Sequence, residues 1–301
     1  MKHLKIIILS VLLVVVHTVN AQNYVFKVLL NKGENSYGRA EVMQPVKTGT
    51  LLFNGDKLSL KQGAYIGLMH KNGNTVEVKT AGMHDIAELG AQLEKKSQSG
   101  IMSRFAEYIF EKVGSKEDDG RKMSIAGAVE RTVPDATRVY LSDISNVYGD
   151  KLQLVWEPVE GNSNYSIHIK NQFDEKIESL SSKSNKIQID LAKPALAKQR
   201  LLIISVSGTA PESFETKGYG IRRLSGDRLA DIQKMLSEIE AASDASSPLD
   251  QIIIAGFYEQ EDLPADALRH YHKAMELAPD NTAIAEMYDG FLLRYGYKSE
   301  N

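Results

Sequence analysis

The chain has 301 residues, no cysteine, and 36 Lys and Arg against 39 Asp and Glu, a net charge of −3. Without a thiol there is no disulfide framework, no thiolate metal site, no cysteine nucleophile and no lipid-bearing cysteine. Without a basic run, no surface is marked for nucleic acid, and what is left is an ordinary globular chain long enough for two or three hydrophobic cores.

The first element is an export signal. Lys2 and Lys5 form a short basic start, Ile6 to Val16 is apolar except for Ser10, and Val19-Asn20-Ala21 supplies short side chains at a cleavage point expected after Ala21. The apolar run falls well short of the ~20 residues that span a bilayer. No later segment approaches that length, so no integral membrane segment is expected after cleavage. Losing Lys2 and Lys5 takes the net charge from −3 to −5. The expected location is the periplasm or the outside of the cell.

Residues 22–98 read as a β-domain. Tyr24, Phe26 and Val28 fall on one face of a first strand, with Val25, Lys27 and Leu29 on the other. Asn54-Gly55-Asp56 and Asn72-Gly73-Asn74 separate apolar stretches, and Asn and Gly tolerate the positive φ of tight turns. The predicted product is a meander of short antiparallel strands running to about Leu89. Gly49, Gly55-Asp56-Lys57-Leu58, Ala64-Tyr65-Ile66-Gly67-Leu68 and Asn72-Gly73 before Val76-Glu77-Val78 resemble the β-domain of FecR-type bacterial envelope proteins. That resemblance implies a binding role rather than chemistry.

Residues 99–124 change period. Ile101, Phe105, Ile109 and Val113 form one stripe, with Met102 and Ala106 beside it, as in an amphipathic helix packing on a neighbouring module. Residues 114–122 are charged and flanked by glycines, which predicts a solvated linker.

Residues 125–222 return to strand patterning. Leu152, Leu154 and Trp156 share a face before Pro158 ends the strand. Tyr165, Ile167 and Ile169 alternate with Ser166, His168 and Lys170, while Ile187, Ile189 and Leu191 point inward. "RLLIISVSG" predicts a strand buried on both faces. The order from Leu154 and Trp156 through Tyr165, Ile167 and Ile169 resembles the opening strands of fibronectin-type-III-like sandwiches, which implies that the Trp fills the core.

Residues 223–301 are helical. Leu229, Ile232, Leu236 and Ile239 form a stripe with Asp227 as the expected cap. After the breaker Ser243 to Pro248, residues 248–281 place Tyr258, Ala267, Tyr271, Ala274 and Pro279 at offsets that resemble one tetratricopeptide repeat. Gln251 replaces the usual Trp and Pro264 lies in the expected interhelix turn. Small residues at 255, 267 and 274 let two helices approach closely. The resemblance implies a concave protein-binding face at Leu249, Ile252, Gly256, Glu259 and Gln260, with a capped hairpin closing the C-terminus as the plainer reading.

The fold class expected is therefore multidomain β plus α: two small antiparallel β modules of sandwich or barrel type, then a C-terminal helical hairpin region. No motif for catalysis, cofactor or metal emerges. His270 and His272 are two apart on a helix and point apart, and zinc needs three or four converging ligands. The expected function is that of a non-enzymatic, exported interaction or scaffold protein of the bacterial envelope. It would bind a partner protein through the C-terminal helices. An alternative is a cell-wall or small-ligand module using the loops Gly33–Gly38 and Asn72–Asn74. A hydrolase with a carboxylate pair is a third reading that no particular Asp or Glu supports.

Overall fold

A computed structural model describes residues 24–39, 42–94, 100–114 and 137–298. The expected signal peptide and nearly all of the charged stretch 114–122 lie outside these residues.

The first module consists of two four-stranded antiparallel sheets. One has the order β4-β1-β6-β7, built from β1 (Phe26–Lys32), β4 (Leu51–Leu52), β6 (Tyr65–His70) and β7 (Thr75–Val78). The other has the order β3-β2-β5-β8, from β2 (Ser36–Arg39), β3 (Val42–Pro45), β5 (Lys57–Leu60) and β8 (Gly82–Asp85). Gly55 and Gly73 take φ of 88° and 87° at the predicted turns, a backbone region open to glycine. The two-faced pattern expected of β1 holds from Phe26 to Leu29, but both faces are covered, and Val28, Leu29 and Leu30 are all buried. The pairing with β6 shifts register between Val28 and Leu30, and such a bulge re-aims side chains. Phe26 and Val28 thus enter the module's own core, while Leu29 and Leu30 enter the core formed with the helices.

The meander stops earlier than the sequence suggests. Ile86–Glu94 is a helix, α1, started by Asp85, whose Oδ1 accepts the backbone N–H of Ala87 (2.9 Å) and Glu88 (3.2 Å). Ile86 and Leu93 fold back onto the first core.

The second module pairs β10 (Lys151–Val155) with β13 (Lys186–Asp190) against a larger sheet of order β12-β11-β14-β16-β9. Its strands are β9 (Ile144–Val147), β11 (Tyr165–Asn171), β12 (Lys176–Ser182), β14 (Leu201–Gly208) and β16 (Tyr219–Arg223). β15 (Phe214–Glu215) pairs with β14, and all pairings are antiparallel except β9 with β16. Trp156 is fully buried and meets Tyr165 edge-on at 5.1 Å. β14 departs from expectation. Leu202, Ile204 and Val206 face the core and Ser205 on the other face is buried too, but Leu201, Ile203 and Ser207 on that face are half-exposed, so it is covered only in part. A four-residue helix, α3 (Pro194–Ala197), bridges β13 and β14.

The remaining helices are α2 (Gly100–Gly114), α4 (Gly226–Ala242), α5 (Pro248–Gln260), α6 (Pro264–Leu277) and α7 (Thr282–Arg294). Ser247 caps α5 by accepting the Asp250 N–H at 3.0 Å, and Asn281 caps α7 by accepting that of Ile284 at 3.2 Å. Asp227 is not the cap of α4; Ser225 holds that position and makes no side-chain bond there. Pro264 begins α6 rather than lying in the turn, where its missing N–H costs nothing. Ala255, Ala267 and Ala274 are fully buried between α5 and α6, so the predicted hairpin forms.

The helices are a hub, not a tail. One core joins Leu29, Leu30, Tyr65 and Met69 of the first module, Val155 of the second, Met102, Phe105 and Ile109 of α2, and the stripes of α4 to α7. No described helix is long and apolar enough to cross a membrane.

Candidate functional site

The predicted docking face is occupied. Leu249, Ile252, Gly256 and Glu259 are buried, and of the five candidates only Gln260 is exposed. Leu249 lies against Gly67 of β6, where a Cβ would come within 3.2 Å of it. At Gly256 a Cβ would meet Ile109 of α2 at 2.9 Å and the Tyr108 ring at 3.2 Å. Phe105 of α2 stacks edge-on against Phe257 at 5.1 Å. The small and apolar residues that could line a groove for a partner instead seat the chain's own α2. The expectation of an open protein-binding surface is therefore corrected for Leu249, Ile252, Gly256 and Glu259, and Gln260 alone remains on the surface.

Glu259 is a structural centre. Its carboxylate accepts both Nε (3.1 Å) and Nη2 (2.7 Å) of Arg294, the Tyr271 hydroxyl at 2.6 Å and the Tyr108 hydroxyl at 3.4 Å. Burial opposes the charge of Arg294, yet Glu259 and the neighbouring tyrosines hold its pKa above the ordinary value. Burial, and then Glu259, push the Tyr271 hydroxyl well upward. Each member satisfies another, as buried charges require.

Two further carboxylates fasten the hub to the β modules. Glu77 of β7 accepts the Tyr65 hydroxyl (2.6 Å), the Ser247 hydroxyl (2.6 Å) and the Leu249 N–H (3.3 Å), placing negative charge at the N-terminus of α5. Beside it, burial and then the charges of Glu77 and Asp244 push Asp250 up to about 6, against the lowering bond from the Asp244 N–H at 2.7 Å. On the other side, Asp266 of α6 accepts the N–H groups of Tyr148 (2.8 Å) and Gly149 (3.0 Å) in the β9–β10 turn. Burial raises its pKa despite those bonds.

The two loops expected to contact a ligand lie far apart. Phe26 pairs with His70 and Lys32 with Tyr65, so Asn72–Asn74 and Gly33–Gly38 lie at opposite ends of the β1–β6 ladder, about 20 Å apart at strand rise. Asn74 is committed to structure, donating to the Leu93 carbonyl at 3.1 Å and so closing the end of α1. Gly33 borders an open groove of about 390 Å³ with Lys32, Glu34, Lys61, Gly63 and Asp280. A larger groove, about 790 Å³, runs between α2 and α4 and mixes Arg104, Arg228 and Lys234 with Asp231, Glu238 and Glu261. Neither concentrates one kind of charge.

The histidines separate as their spacing requires. His270 bonds Gln251 Oε1 at 2.8 Å, His272 bonds the Tyr288 hydroxyl at 3.2 Å, and burial pushes them down to about 3 and about 4. His70 ends β6, buried edge-on against Phe26 at 5.2 Å. Among the described residues, no three His, Asp or Glu side chains are placed to hold a metal ion.

The exposed large apolar side chains among the described residues are Val42, Leu51, Met83, Ile144 and Phe173. All five belong to the β modules and none to the helices. Val42 (78% exposed) and Met83 (58%) lie on β3 and β8, the two edge strands of one sheet. Nothing in the strand alternation singled these positions out, because position at a sheet edge follows from topology.

No family model matches the chain, and no curated protein matches it. Among solved structures, it is similar to the dimeric latent PorU of Porphyromonas gingivalis at 12% identity and a TM-score of 0.25, over 66% of this chain and 17% of that one. The chain thus spans less than a fifth of that protein's length, and the likeness is too slight to assign a fold.

Proposed function

We propose that this chain is a non-enzymatic, exported interaction protein of the bacterial envelope, in which the helices brace two β modules and the modules carry the contacts. The supporting observation is the distribution of apolar surface: α5 is buried at every residue but Gln260, whereas the exposed large apolar side chains belong to the β modules, four on strands and Phe173 in the β11–β12 turn. Exposed sheet edges are templates for association. The inward carboxylates support the same reading, since half-buried Glu77 and buried Glu259 and Asp266 are each consumed by structural bonds. Export rests on the basic start and apolar run of the first 21 residues.

Val42→Asp and Met83→Asp test the reading by crosslinking in an envelope fraction. Each should lose partners captured by the wild type while keeping its melting temperature. Identical partner sets would overturn it. A second reading, small-ligand binding at the first module, is favoured only by the groove beside Gly33 and Lys61.

A further inference from the structure

Asn-Gly occurs twice in the chain, at residues 54–55 between β4 and β5 and at residues 72–73 between β6 and β7. The pair carries a latent reaction, because glycine has no side chain to shield its nitrogen from the neighbouring amide carbon. Both asparagines are exposed, so exposure does not tell them apart. Their hydrogen bonds do.

At Asn72 the reacting groups are engaged. Its Oδ1 accepts the Asn74 N–H at 3.0 Å, its Nδ2 donates to the Leu93 carbonyl at 3.4 Å, and the Gly73 N–H donates to the His70 carbonyl at 2.7 Å. At Asn54 the side-chain amide and the Gly55 N–H have no hydrogen-bond partner among the described residues. Nothing crowds Gly55 either. Its φ is 88°, and apart from its chain neighbours the nearest atom to an added Cβ would be Arg39 Nε at 3.9 Å. The carbonyl that joins the two residues is gripped by a cation. Arg39 Nε donates to Asp56 Oδ1 at 2.7 Å, and the same side chain sets its Nη2 on the Asn54 carbonyl at 3.1 Å. A charged donor on that oxygen stabilises the peptide anion formed when the Gly55 nitrogen loses its proton.

We propose that Asn54 is a self-modification site, where the chain deamidates through a succinimide promoted by Arg39. Base removes the Gly55 N–H proton and the nitrogen bonds to Asn54 Cγ. The Cγ–Nδ2 bond then breaks, and the amide group takes a proton back and leaves as ammonia. Water opens the ring: attack at the Cγ carbonyl gives aspartate, and attack at the α-carbonyl gives isoaspartate, whose main chain runs through Cβ and Cγ. Either product adds a carboxylate, taking the net charge of the chain from −3 to −4. Isoaspartate also lengthens the turn by a carbon. There the buried Asp56 donates its N–H to the Phe53 carbonyl at 3.0 Å and accepts the Phe53 N–H at 2.8 Å, two bonds set by the present turn length. The reaction needs only water, so it stands or falls independently of any partner at the sheet edges.

The test incubates the purified full chain in mildly alkaline buffer, with and without urea, and follows both sites by peptide mass spectrometry with isoaspartate-specific fragmentation. In the folded chain Asn54 should convert about tenfold faster than Asn72, the rate equivalent of one ordinary hydrogen bond. In urea the two should convert at similar rates. Arg39→Lys keeps a cation for Asp56 but lacks the second nitrogen that reaches Asn54. It should slow conversion of Asn54 in the folded chain and leave the rate in urea unchanged. If Arg39 only held the turn shut, the same substitution would speed conversion instead. The proposal is overturned if Asn54 stays intact, if Asn72 converts as fast or faster in the folded chain, or if Arg39→Lys speeds the reaction or leaves it unaltered.

Discussion

At the scale of single residues, the strongest commitments are buried charges. Glu259 exposes 1% of its side chain while holding Arg294 and two tyrosine hydroxyls. Removing one partner of a buried pair leaves the other charge desolvated and unanswered, at a cost of about 3–5 kcal/mol. Glu259→Ala should therefore lower stability by that order in denaturant titration. Glu259→Gln keeps the shape and can still accept from the tyrosines, so it should lose less. A loss below about 1 kcal/mol for the alanine variant would show that Arg294 finds water instead. The sequence offered Glu259 as a binding residue because its position matched a repeat's concave face. It gave no sign that Arg294, thirty-five residues later, returns to meet it.

At the scale of elements, helix periodicity was the most legible signal and its partner the least. The α2 stripe of Met102, Phe105, Ala106 and Ile109 was readable, and all four are buried. The small residues at 255, 267 and 274 correctly implied two close helices. What the stripe packs against depends on tertiary approach, which no local period encodes. That approach is narrowest at Gly256, where two ordinary effects oppose each other. Alanine in place of a mid-helix glycine normally stabilises by up to about 1 kcal/mol, whereas overpacking a filled site costs about 1–3 kcal/mol. With a Cβ 2.9 Å from Ile109 Cδ1 and 3.0 Å from its Cγ1, the steric cost should win. Gly256→Ala is expected to destabilise, Gly256→Val more so, and Ile109→Ala should relieve part of the loss. Strict additivity in that double-mutant cycle would mean that α2 does not sit where the packing places it. The start of α1 was legible but missed: Asp85 followed three residues later by Glu88 is a helix-start pattern, obscured by the alternation before it.

At the scale of the whole molecule, the helical hub meets the first module through a patch with an acid-sensitive member. Facing Asp250 are Glu77 and Tyr65 from the sheet, Lys79 just beyond it, and Asp244 with Ser247 from the segment before α5. One lysine stands against three carboxylates. Asp250 is pushed up to about 6, above the ~3.9 of an unfolded chain, so the folded state binds the proton more tightly. The stability gained by protonating this group is fully present below pH ~4 and lost as pH rises through ~6, a span on the order of 2–3 kcal/mol. Asp250→Asn removes the titration but retains an oxygen that can accept the Asp244 N–H. Thermal melts of both proteins at pH 4.5, 6 and 7.5 should then diverge. The wild type gains on the variant as pH falls, and the variant is relatively favoured at pH 7.5, where the native carboxylate is held charged among like charges. A difference between the two that stays flat across that range would remove Asp250 from the account of how the hub grips the first module. The grip would then rest on Glu77 and on the apolar core that Leu29, Leu30, Tyr65 and Met69 form with the helices.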